Sequence, residues 1–274
     1  MAILNSLRKL ISKIISYEIT KRQRFVLMAF FLTVILVSAQ TVGESVRYQT
    51  IIFLAGATIF LSIFSLWGEL SGVKYFLSLL LPVYFVVGAS LFYFLLPVRW
   101  LTRLPFALIF GISVYLVMLT SNIYNVAAVR TIALLRAAHA VGLLFSIMAT
   151  FFLANVLFSL HLPFYLVTAG AVGITFPLYL VGLWSYELEE FISRRVFLYA
   201  VTFAMVTVQV ALVLSFWPIV PINGALALAT LMYVLLGLAQ FEFQGRLKGR
   251  IIWEHLIVAI FVAVIITITT HWGG

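Results

Sequence analysis

Hydrophobic and polar positions in this chain come in blocks. Apolar runs occupy about 25–42, 49–66, 75–96, 105–120, 132–160, 163–184, 196–216, 223–241 and 251–270, separated by short turns. At 1.5 Å rise per residue, about 20 apolar residues cross the roughly 30 Å of bilayer hydrocarbon. A helix also satisfies its own backbone hydrogen bonds, which lipid cannot do. The pattern therefore predicts an all-α integral membrane protein, a polytopic bundle of about nine transmembrane helices within a single domain, 25–274.

Residues 1–24 follow a different rule. On a helical wheel, Ile3, Leu4, Leu7, Leu10, Ile11, Ile14 and Ile15 fall within about 140°, with Asn5, Arg8, Lys9, Ser12, Lys13 and Ser16 opposite. This predicts a basic amphipathic helix lying on the membrane surface against anionic lipid headgroups. A basic region, an apolar run from Phe25 and the small residues around Val37, Ser38 and Ala39 also resemble a secretory signal. The long amphipathic region and the continuation of the run to Val42 favour a retained first span.

Composition fits this reading and narrows the chemistry. Of 274 residues, 65% are hydrophobic and 9% charged, against about 25% charged in soluble domains. Cysteine is absent, which removes disulfides, thiolate metal sites and cysteine nucleophiles. Aspartate is absent too, so the eight acidic residues are all glutamate and no mechanism built on an aspartate pair applies. The net charge of +9 is read as topological, with no nucleic-acid partner. Threading nine spans from a cytoplasmic amino terminus puts fourteen lysines and arginines inside and three, Arg47, Arg99 and Arg103, outside, as the positive-inside rule requires. The carboxyl terminus is then outside, and the expected location is the plasma membrane.

One internal similarity bears on function. Ser78, Leu79, Leu81, Pro82, Tyr84 and Val86 recur 81 residues later as Ser159, Leu160, Leu162, Pro163, Tyr165 and Val167. Three-span units at that offset would alternate in orientation, the inverted repeat that many transporters use. In a chain this rich in leucine and phenylalanine, chance is the better explanation.

Ionisable groups at membrane depth are functional candidates by default. Asn122, Asn125, Arg136 and His139, with Ser146 deeper, share a face about 100° wide if 122–146 is one helix. Such a face would offer Arg136 to a phosphate or carboxylate and His139 as a proton relay. Otherwise the arginine stands among the headgroups. Glu69, at the inner end of span two, and Glu187, Glu189 and Glu190, at the inner end of span six, are the carboxylates within reach of Arg136. Glu190 and Arg194 also stand at the i, i+4 spacing of a helical ion pair. Glu254 and His255 are adjacent, so they point about 100° apart on a helix, and no His-x-x-x-His or Glu-x-x-His supplies further ligands. No metal and no cofactor is expected. Asn155 and Gln209 read as interhelical hydrogen-bond partners, Ala169 with Gly173 as a close helix contact, and Pro82 and Pro177 as kinks. Tyr48, Trp67, Tyr75, Trp100, Trp184, Trp217 and Trp272 read as interfacial belts.

Several activities lack their residues. The one late lysine, Lys248, sits in a loop and cannot serve a buried retinal, and the chain carries no Gly-x-Ser-x-Gly, Walker or His-Glu-x-x-His motif. The sequence therefore points first to a non-catalytic membrane-embedded subunit or scaffold with a membrane-protein partner. A secondary transporter with a polar face at Arg136 and His139 is the alternative, and a lipid-modifying enzyme with a cytoplasmic cleft the third.

Overall fold

The computed structural model describes residues 20–39, 47–66, 73–97, 99–127 and 134–270. Among these, the secondary structure is nine helices. They are α1 (Lys21–Ser38), α2 (Arg47–Ser65), α3 (Val73–Leu95), α4 (Trp100–Ala127), α5 (Leu135–Ser159), α6 (Phe164–Glu187), α7 (Arg194–Ser215), α8 (Pro221–Phe243) and α9 (Gly249–Thr269). Seven of them, α3 to α9, are long and apolar enough to cross a membrane. The polytopic helical bundle expected from the apolar blocks is what the chain forms. The surface helix expected over 1–24 lies mostly outside the described residues. Its last part, Lys21 to Arg24, is already the first turn of α1, with the Thr20 N–H donating to Gln23 Oε1 at 2.9 Å.

Local sequence sets the helix ends. Ser193 precedes α7 and its hydroxyl accepts from the Val196 N–H at 3.1 Å, a side-chain N-cap. Pro221 opens α8, where a missing N–H costs nothing. Gly245 closes α8 at φ +65°, and the paired bonds Gly245 N–H to Glu242 O and Arg246 N–H to Phe241 O complete a Schellman turn. Each turn returns the chain into the bundle within a few residues.

α5 sits at the centre, packed against α3, α4, α6 and α8, while α7 lies outside α6 and α8 and α9 lies outside α8. The first helix is part of the core, with Phe25, Leu32 and Leu36 fully buried. The centre between α3, α4 and α5 is aromatic. Phe85 meets Phe145 edge-on at 5.0 Å between centroids, and Phe92 meets Phe152 at 4.9 Å. Large apolar side chains such as Phe30, Phe60, Leu101 and Ile268 point outward. Inside are small hydroxyl residues, among them Thr58, Thr150 and Thr175, which donate to the carbonyl one turn back. Bonded to its own helix, a hydroxyl asks nothing of the lipid.

The structure decides the internal similarity and corrects three expectations. Residues 78–86 lie within α3, whereas 159–167 straddle the end of α5, the turn and the start of α6. Pro82 is thus mid-helix while Pro163 is an N-cap, so the similarity at offset 81 is not a structural repeat. Ala169 and Gly173 do not form a small-residue packing face, since both are exposed and a Cβ at Gly173 would meet open space, although the Gly173 carbonyl accepts from the Tyr84 hydroxyl of α3 at 2.8 Å. Gly170 takes that role against Leu157. Trp184 is no belt residue but fully buried, because its ring faces the bundle and its Nε1–H reaches the Glu189 carbonyl at 3.0 Å. Gln209 is exposed on α7 and makes no side-chain hydrogen bond among the described residues.

Candidate functional site

Residues 122–146 do not form one helix. α4 continues through Ala127 and α5 begins at Leu135, so Asn122 and Asn125 stand on a different helix from Arg136, His139 and Ser146. At 28 residues α4 is about 42 Å long, longer than the hydrocarbon is thick. Its last turns therefore bring Asn122, Tyr124 and Asn125 to the bundle end where α3 and α5 begin.

Contact between antiparallel helices, not heptad spacing, joins these side chains. The Tyr124 hydroxyl donates to the Ala138 carbonyl at 2.9 Å. Gly142 on α5 makes the approach possible, because a Cβ there would collide with that hydroxyl. The Ser78 hydroxyl on α3 donates to Asn125 Oδ1 at 2.5 Å. His139 Nε2 lies 2.8 Å from the Ser185 carbonyl on α6, and since a carbonyl only accepts, that nitrogen carries a hydrogen. The imidazole also stacks on Tyr186 at 3.9 Å between centroids. Together these residues tie the ends of α3, α4, α5 and α6.

The space left among them is small. A cavity of about 10 Å³ is lined by Tyr124, His139, Gly142, Ser146, Ser185 and Gln240, among others, room for the centre of about one water. Arg136 is exposed and does not line it. Arg136 and His139 do not converge, because, three residues apart at the start of α5, one is exposed and the other lies against Ser185 and Tyr186. Arg136→Ala is accordingly expected to change stability by no more than about 0.5 kcal/mol, measured by thermal unfolding in detergent.

The carboxylates divide among separate jobs. Leu188, left-handed at φ 52°, ends α6 and turns the chain back, so Glu190 lies in a loop and not on a helix with Arg194. Its partner is Lys74 of α3, at 3.9 Å. Glu187 keeps a buried Oε2 without a partner among the described residues, as do Asn122 through Oδ1 and Asn125 through Nδ2. Glu69 lies outside the described residues. Glu254 pairs with Arg250 at 2.9 Å, while the neighbouring His255 turns inward, donates to Ile251 O at 2.8 Å and fills the space Gly237 leaves on α8.

A second polar group went unread in the sequence. Glu242 on α8 accepts from the Tyr199 hydroxyl and faces Arg195 at 3.6 Å, and Arg195 lies 4.3 Å above the Phe243 ring. The signal was faint, since the three residues stand on two helices more than 40 positions apart. Arg103 is a second departure, buried at the other end with its Nη2 donating to Leu96 O at 3.1 Å.

Seven apolar helices long enough to span, closed around interhelical polar bonds at one end, define a polytopic α-helical membrane protein. Within that class the chain belongs to a family described as protein of unknown function DUF5656, whose pattern matches residues 73–269. The matched stretch runs from the first residue of α3 to the last of α9, the same seven helices, with α1 and α2 preceding it. No curated protein and no solved structure matches the chain.

Proposed function

We propose that this protein is a non-catalytic, membrane-embedded subunit or scaffold of the plasma membrane, with its amino terminus in the cytoplasm. One observation carries the reading. The polar side chains that converge from α3, α4, α5 and α6 leave a cavity of only about 10 Å³, and Ser78, Tyr124 and His139 spend their donors on oxygens of neighbouring helices. A carrier would want that polar group to face a solvent-filled path. A lipid-modifying enzyme would want Arg136, His139 and a glutamate in one cleft.

The basic residues support the orientation. Lys74, Arg136, Arg195 and Lys248 stand at or just before the starts of odd-numbered helices, which share one end of the bundle, and the cytoplasmic side attracts such a cluster. At that end a basic surface helix before Lys21 would rest on anionic headgroups, leaving the apolar flanks to a membrane-protein partner.

The absence of native cysteine makes a direct test possible. In right-side-out and inside-out vesicles, Arg136→Cys is expected to react with a membrane-impermeant thiol reagent only from the cytoplasmic face. Ser146→Cys, whose native hydroxyl is buried at the cavity, is expected to stay unreacted from either face while Arg136→Cys reacts to completion. Rapid labelling of Ser146→Cys would show a water path into the bundle and replace the scaffold reading with the carrier.

A further inference from the structure

α9 is the least covered of the seven long apolar helices, with 11% of its apolar window buried, and α8 is its packing partner. α7 lies on the other side of α8. Between α7 and α9 runs a groove of about 370 Å³, walled by Val210 and Val213 of α7 and Val262 and Ile266 of α9 over a floor that includes Ala227 of α8, with Trp217 just beyond α7 at its end. No ionisable residue lines it.

Gln209 lies on the crest of α7, at the edge of this groove and of a second one towards α6. It is six residues from Ser215, the end of α7, and so about 9 Å inside the helix end, within the hydrocarbon. A carboxamide there carries two donors and an acceptor. Nothing among the described residues bonds it, and an acyl chain has no polar group to offer. Leaving it bare in lipid is costly. In the same bilayer, a second copy of the chain carries a carboxamide at the same depth.

We propose that the α7–α9 groove is a homodimer interface, in which α7 of each copy lies between α7 and α9 of the other and the two Gln209 carboxamides bond reciprocally. A two-fold interface presents each patch to itself, and a carboxamide is among the few side chains that complement their own copy, donor to acceptor and acceptor to donor. Met205, Gln209 and Val213 follow at four-residue spacing and form one ridge. Small side chains on the floor and on the α9 wall, Ala227, Ala259 and Ala263, leave depth for a ridge to enter. Absence of charge in the groove spares the two copies any repulsion, and the arrangement covers the bare flank of α9.

Disulfide cross-linking in native membranes tests this, again without background cysteine. Oxidation of Val213→Cys is expected to give a covalent homodimer, and Leu108→Cys, exposed on α4, none. Gln209→Leu in the Val213→Cys chain is expected to weaken association about 3- to 30-fold, the range that interhelical polar pairs supply in lipid, and Gln209→Asn to retain most of it. Gln209 is exposed, so neither change disturbs the fold, which an unaltered thermal midpoint of the monomer checks. The proposal is overturned by Val213→Cys and Leu108→Cys cross-linking alike, by dimers indifferent to Gln209→Leu, by a cross-linked product containing another protein, or by native mass spectrometry giving a monomer with lipid in place of the second copy.

Discussion

Trp184→Ala is expected to destabilise the bundle by about 3–5 kcal/mol, the range seen when a fully buried aromatic ring is deleted. The indole is 1% exposed in the last turn of α6. Its removal leaves a cavity that closely packed neighbours cannot fill. The loss extends beyond volume, because the Trp184 Nε1–H holds the Glu189 carbonyl at 3.0 Å and thereby fixes the left-handed turn at Leu188. That turn sets Glu190 opposite Lys74. Trp184→Phe keeps most of the ring and gives up the bond, so it should fall between wild type and alanine. Reversible unfolding in mixed micelles is the measurement, and an alanine variant as stable as wild type would refute the packing role.

Gly142→Ala is expected to destabilise by about 1–3 kcal/mol, the usual result of inserting a methyl into a filled core. On propensity alone the change would help the helix by up to about 1 kcal/mol, so the sign is informative. The added Cβ collides with the Tyr124 hydroxyl, which is held by Ala138 and cannot retreat without giving up its bond. Tyr124→Phe removes the oxygen and leaves Cζ, 3.2 Å from the new Cβ, as the nearest atom. The double variant Gly142→Ala/Tyr124→Phe should therefore be more stable than Gly142→Ala alone. A double variant that is worse, by the sum of the two single losses, would locate the obstruction elsewhere.

How far the sequence could be read differs between fold and site. The spans were legible because lipid imposes one demand on every crossing residue, and that demand appears as length and apolarity in each segment by itself. The end of span four was placed at residue 120 and the helix runs to Ala127, since Asn122 and Asn125 look like a polar break. A helix that overshoots the hydrocarbon can carry them at the boundary. Of the polar residues picked out in the sequence, Asn125 and His139 stand where α3 to α6 converge. They stand on different helices, α4 and α5, and not along one face. Tyr124, Ser78 and Ser185 were missed for the same reason, each gaining its role from a helix distant in sequence.

The sequence alone determined the class of protein, the apolar blocks and the absence of cysteine and aspartate chemistry, because these depend on composition and on segments taken one at a time. Only the tertiary structure decided which polar atoms are satisfied. Arg136 and His139 are three residues apart, and rotation about the helix axis puts one outside and the other against Ser185. Gln209, read as an interhelical partner, stands on an outer face because α7 turns its other side to α6 and α8. Orientation of a side chain about its helix is set by the neighbours that pack there, and a single sequence does not name its neighbours.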